Sequence, residues 1–309
     1  MSENIDVASP SRPANYLDLA WRTPSGRARF AGWVAVAMLI ITIVGGLVVL
    51  PITAVLPDGE IGTMLTNLLP FVGSIVLLIV GARLIMRRPL WTFAAPDTSP
   101  RWGLFARAVV IQVVCLGLST LVFALSPVGS LEVTEPDWGV FAAVVPIALV
   151  GFAIQTLAEE IVFRGIWPQG VWRFTPHLVV VYGLPALVFA SIHIGNSTAL
   201  GNGAVALLPY FAMAAFLGWV SYRTGSLWTS WGLHFGNNVY LVLLIGSHDD
   251  VTTPVSGLAF VYSHPDAEGI ITTTLTGLAL SVAVTWFVVL RHAPRTVLAP
   301  RDEQDEPTS

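Results

Sequence analysis

The sequence predicts an all-α fold, a polytopic membrane helical bundle of about eight transmembrane helices with both termini cytoplasmic. Three observations predict it. Of the 309 residues, 54% are apolar and 11% are charged, with a mean hydropathy of +0.73. A soluble domain carries about a quarter charged residues to cover its surface, and a disordered chain pairs low hydrophobicity with high net charge; this chain does neither. Eight stretches stay apolar for about the 20 residues needed to cross a hydrocarbon core. With eight spans, all fifteen basic residues, every one an arginine, fall on one side. The net charge of -4 adds little, and Cys115, the one cysteine, reads as a small hydrophobe within an apolar run.

The elements follow in order. Residues 1–26 are polar and contain Pro and Ser; they read as a disordered cytoplasmic tail and not a signal peptide. The spans run from Phe30 to about Pro57, Gly62 to Ala82, Ala108 to Ser126, Trp138 to Ala158, Leu178 to His193, Gly203 to Tyr222, Ser226 to Gly246 and Ile270 to Leu290. Nothing breaks the fourth helix before Pro168, so it is expected to continue to about Gly170, which draws Glu159 into the bundle. Residues 292–309 read as a second disordered tail. One integral domain spans 27–291, with its motif-bearing core at about 138–246. The long outer loop Ser247–Gly269 holds an apolar patch, Val255–Tyr262, expected either to lie at the membrane interface or to dip inward.

Charge placement orients the bundle. Arg27 and Arg29 precede the first span, Arg83, Arg87, Arg88, Arg101 and Arg107 lie between the second and third, and Arg164, Arg173, Arg223 and Arg291 follow even-numbered spans. The opposite loops carry Asp58, Glu60, Glu132, Glu135, Asp137, Asp249, Asp250, Asp266 and Glu268, and no arginine. The positive-inside rule then puts both termini in the cytoplasm, in what is expected to be the cell membrane.

Polar groups at membrane depth are costly, so they mark function by default. Three short stretches qualify: Glu159-Glu160-Ile-Val-Phe-Arg164, Phe189-Ala-Ser-Ile-His193 and His234-Phe-Gly-Asn237-Asn238. On a helix, Glu160 and Arg164 share a face with the acid on the N-terminal side, the better order for an ion pair. Glu159 points about 100° away, which leaves it as the carboxylate for general-base work. Phe189 and His193 share a face, as do His234 and Asn238. Each stretch alone has a plain structural explanation: an Arg–Glu clasp, a hydrogen-bonded core histidine, or polar side chains joining helices. Together, a Glu and a His to deprotonate a water, with a His and an Asn to hold an oxyanion, are the parts of a hydrolytic site. Two His and a Glu are also a ligand set for catalytic zinc, although no H-E-x-x-H occurs.

These motifs, E-E-x-x-x-R, F-x-x-x-H and H-x-x-x-N on successive helices, resemble the CPBP family, which takes in type II CAAX prenyl endopeptidases and bacteriocin-immunity (Abi-like) proteins. The resemblance implies an intramembrane endopeptidase in which Glu159 and His193 activate water, His234 and Asn238 form the oxyanion hole, and Glu160, Arg164 and Phe189 support the site. It leaves metal dependence open: either no cofactor, or a divalent metal such as zinc held by Glu159, His193 and His234. The implied partner is a membrane-embedded or lipid-anchored protein or peptide substrate, within membrane lipid and without nucleic acid. Two other readings stand beside it. One is a non-proteolytic immunity or scaffold protein of the same family. The other is a proton-coupled transporter, since buried carboxylates and histidines also make proton relays.

Overall fold

A computed structural model describes residues 15–21, 26–125, 131–133, 137–195, 207–244, 260–262, 267–291 and 293. Eight apolar helices occur among them. They are α1 (Arg27–Thr53), α2 (Glu60–Leu84), α3 (Trp102–Ala124), α4 (Trp138–Trp172), α5 (Leu178–Ile192), α6 (Leu207–Thr224) and α7 (Trp228–Leu243). The last, α8 (Ala267–Thr285), runs on into a π turn at Trp286–Leu290. The first four are long and apolar enough to cross a membrane. The expectation of eight full spans therefore holds in part: eight helices, but α5 has only 15 residues. At 1.5 Å per residue that is about 22 Å, short of a hydrocarbon core of about 30 Å. It starts only after Thr175-Pro176 and loses helical geometry at His193. Helix α7 has only 16 residues and packs Thr229, Ser230, His234, Asn237 and Asn238 into them.

The all-α expectation needs one amendment. Strand β1 (Leu131–Val133) pairs antiparallel with β2 (Phe260–Tyr262), Leu131 opposite Tyr262 and Val133 opposite Phe260. Part of the Val255–Tyr262 patch thus becomes a strand; residues 255–259 lie outside the described residues.

Proline inside a soluble helix interrupts it, yet Pro51, Pro70, Pro146 and Pro185 all lie within helices here, as membrane helices tolerate. The outer faces are apolar: Val179 leaves 86% of its surface uncovered, and Leu47, Val110 and Val150 are likewise exposed. Apolar surface of this kind suits lipid and not water. Helix α7 sits between α3, α4 and α6, α2 packs on α1 and α4, and α5 packs on α6. At Gly232 an added Cβ would collide with the Phe105 carbonyl, so glycine is what lets α7 approach α3 this closely.

The expectation of a disordered segment over residues 1–26 is corrected at 15–21. Tyr16–Ala20 form a 3-10 turn, with Tyr16, Leu17 and Ala20 completely buried. Asn15 caps it, accepting from Leu17 N at 3.0 Å and donating to the Tyr222 carbonyl at 3.0 Å. Gln169 donates to the Tyr16 carbonyl, and Arg88 to that of Leu19. The polar composition of residues 1–26 as a whole hides this short apolar stretch, whose side chains are buried and whose backbone is also anchored. Residues 1–14 and 22–25 lie outside the described residues, as do 292 and 294–309 of the expected C-terminal tail. Truncating Leu17 to Ala removes a fully buried side chain from the core shared with Phe30 and Phe163. It should cost about 2–5 kcal/mol, read as a lower unfolding temperature in detergent; an unchanged transition would return the segment to the status of a tail.

Candidate functional site

The site is built on α4. Asp137 starts this helix, its Oδ1 accepting from Gly139 N at 2.8 Å and Val140 N at 3.1 Å. The helix stays unbroken past the acidic pair to Trp172, as the sequence predicts. Its course changes at Ile161–Ile166, where it widens into a π turn. Such turns insert an extra residue and recur at functional sites. Pro168 contributes a cause: without an N–H it cannot bond the carbonyl of Arg164 in the α-helical pattern. Gly165 is required in this turn, since a Cβ there would lie 2.6 Å from the Phe93 carbonyl.

Glu159 and Glu160 are both buried, Glu160 completely. The expected i, i+4 pair forms, with Arg164 Nη1 3.1 Å from Glu160 Oε1. The Arg164 guanidinium lies over the Phe189 ring at 4.5 Å, which ties the pair to α5. From α7, His234 reaches both acids. Its Nδ1 is 2.9 Å from Glu160 Oε1, and its Nε2 is 3.4 Å from Glu159 Oε2. A carboxylate can only accept, so the His234 Nδ1–H donates to Glu160. Glu159 is therefore not isolated. One oxygen faces His234 and the other accepts from Gln155 Nε2 at 3.3 Å.

One turn further along each helix the polar chain continues. Asn238 Nδ2 donates to Gln155 Oε1 at 3.4 Å, Asn237 Nδ2 to Asn238 Oδ1 at 3.2 Å, and Gln112 Nε2 on α3 to Asn237 Oδ1 at 3.4 Å. A ladder of polar groups thus crosses α3, α7 and α4 within an otherwise apolar bundle.

His193 ends α5. Its Nδ1 lies 2.7 Å from the Phe189 carbonyl, which can only accept, so Nδ1 carries the proton and Nε2 is the basic nitrogen. The ring stacks on Tyr210 at 4.7 Å and packs against Phe189 at 4.4 Å. Phe189 also meets the His234 ring edge-on at 6.0 Å.

Glu159, Glu160, Arg164, Phe189, His193, His234 and Asn238 are thus all gathered where α4, α5 and α7 meet. The zinc set of Glu159, His193 and His234 fits less well. His234 turns its two nitrogens to the two carboxylates, and His193 commits Nδ1 to its own helix. Among the described residues no three His, Cys, Asp or Glu side chains are grouped to hold a metal ion, so no metal step is derived. Sequence reasoning missed Gln155, Asn237 as a link, Gln112, Tyr210 and Tyr16. The first three were findable, since an amide at membrane depth obeys the same cost argument as a charge.

Removing one partner of a buried ion pair strands the other. Arg164→Met should therefore destabilise the bundle by about 3–5 kcal/mol, and adding Glu160→Gln should recover part of that loss. Unfolding in detergent checks both; equal destabilisation by the single and double variants would show that the charge pairing is not what is lost.

Comparison with known proteins agrees with the motif reading. The chain is similar to YyaK of Bacillus subtilis (strain 168), an uncharacterized protein, with 25% identity over 200 residues, covering 64% of this chain and 66% of that protein. No solved structure matches. Residues 141–240, which hold all three motifs and the cluster just described, match the family model of type II CAAX prenyl endopeptidase Rce1-like proteins.

Proposed function

We propose that the protein is an intramembrane endopeptidase that hydrolyses a peptide bond of a membrane-embedded or lipid-anchored protein. The observation that carries this reading is the convergence of Glu159, His193, His234 and Asn238 from three helices onto one cluster, the acids and His234 buried, Asn238 and His193 half-buried, and His193 joined through Phe189. Glu159 is the general base. It takes a proton from water, whose oxygen attacks the scissile carbonyl carbon, and later passes that proton to the leaving amine as the C–N bond breaks. The basic Nε2 of His193 helps hold and polarise the water. The Asn238 amide donates to the oxygen that becomes negative in the tetrahedral intermediate; with Nδ1–H committed to Glu160, His234 joins it through Nε2, which faces Glu159 in the resting site and donates in its protonated form. Glu160 and Arg164 hold His234 in place, and Gln155 orients Glu159 and Asn238 together. Arginine placement supports a site that opens toward the cytoplasm, with both termini on that side and the bundle in the cell membrane.

The test needs no prior substrate. Wild type and Glu159→Gln are expressed at equal levels in a host lacking its own copy, and new protein termini in the membrane fraction are compared by mass spectrometry. Termini that appear with wild type and vanish with Glu159→Gln are expected, a loss of at least about 10²-fold. Equal termini from both would sink the mechanism. Asn238→Ala should cost about 10²–10³ in rate if its amide serves the oxyanion; a change confined to KM would instead assign it to substrate binding.

A second reading is favoured by one observation. Both nitrogens of His234 face carboxylates, so the cluster is also complete as a purely structural junction, as an immunity or scaffold protein would use it. In that case Glu159→Gln leaves partner binding and any resistance phenotype as in wild type.

A further inference from the structure

Tyr16 lies far from the motifs in sequence and outside the residues that match the family model. Its ring is fully buried, and its hydroxyl is 2.6 Å from the Arg164 carbonyl oxygen and 2.8 Å from the Tyr182 hydroxyl. The directions of these bonds can be worked out. A carbonyl only accepts, so the Tyr16 proton goes to Arg164, and Tyr182 must donate to Tyr16. Burial holds the Tyr16 hydroxyl well above the ordinary tyrosine range, so its proton is always present. The bond has a cause in the sequence of α4. Pro168 cannot supply the N–H that a helix would aim at the Arg164 carbonyl, and a buried carbonyl needs a partner. The Tyr16 hydroxyl fills that role from another part of the chain.

The consequence concerns spacing. Arg164 meets α5 at two points. Its guanidinium lies over Phe189, and its carbonyl reaches Tyr182 through Tyr16. Tyr182 and Phe189 are two turns apart on α5, so the two contacts together fix how far α5 slides along α4. Helix α4 carries the acids and α5 ends at His193. We propose that Tyr16 is a positioning residue of the site, its hydroxyl clamping the Arg164 turn of α4 to α5 and so setting the distance between Glu159 and His193. The 3-10 turn that presents Tyr16 is held independently by Asn15, Gln169 and Arg88, so the ring stays in place when only its hydroxyl is removed.

Tyr16→Phe and Tyr182→Phe in the full chain, purified in detergent, separate the clamp from packing. Hydrogen–deuterium exchange is followed in peptides covering Ile161–Ile166 and Phe189–His193, with α3 and α8 as internal references. Tyr16→Phe should speed exchange across Ile161–Ile166 about three- to ten-fold while the references hold. Tyr182→Phe should have the smaller effect there, because the Tyr16–Arg164 bond survives. Unchanged exchange at Ile161–Ile166, or a uniform rise over all helices, would overturn the clamp. Its bearing on catalysis rests on the proposed endopeptidase activity and is read separately. Against a substrate named by the termini comparison, Tyr16→Phe should lower kcat several-fold with KM unchanged, and a change in KM alone would overturn positioning. If wild type itself yields no termini, the endopeptidase reading fails while the exchange experiment still decides the clamp.

Discussion

The carboxylate of Glu160 sits in an apolar bundle with no exposure at all, and the surrounding architecture answers to it. A bare charge in such a place would cost many kcal/mol. Arg164 neutralises it from one turn away, and His234 donates to it from another helix. Each partner then needs support of its own. The guanidinium rests on Phe189, the Arg164 backbone is capped by Tyr16, and the second nitrogen of His234 turns to Glu159. Helices α4, α5 and α7 are thereby bound into one junction by a single buried charge.

Such a junction is a poor way to gain stability. Buried ion pairs seldom outperform well-packed hydrocarbon of the same volume. What they supply is uniqueness: an apolar helix can slide or rotate against another at little cost, whereas a carboxylate held by an ion pair and a directional hydrogen bond restricts the register. The amide ladder from Gln155 through Asn238 and Asn237 to Gln112 does the same work for α3. Polar groups concentrate where three helices must keep fixed distances, and apolar contacts fill the rest, in clusters of aliphatic and aromatic side chains around Trp33, Leu217 and Leu68.

Much of this was legible in the sequence. Glu160 and Arg164 at i, i+4, the continuation of α4 beyond the acids and the shared face of His234 and Asn238 follow from helical geometry alone, and all appear. Other features depend on long-range partners that no local pattern announces. Tyr16 meets Arg164 across 148 residues, and its apolar neighbours Leu17 and Ala20 do not say what the segment packs against. His234 was expected to face an oxyanion; its contact with both acids depends on how α7 rotates against α4, which periodicity leaves open. The π turn arises partly from Pro168, yet proline is tolerated in so many membrane helices here that its local effect could not be singled out.

The small ribbon of β1 and β2 has a topological meaning. One strand directly precedes α4 and the other follows α7, and they lie side by side, Glu132 opposite Val261. Paired strands run about 5 Å apart, so the polypeptide leaves this four-helix segment almost where it came in. A segment whose two ends adjoin can be lifted from one scaffold and set in another without stretching the chain. The stretch from α4 to α7 thus enters and leaves at one neck, and the family match at residues 141–240 falls wholly inside it.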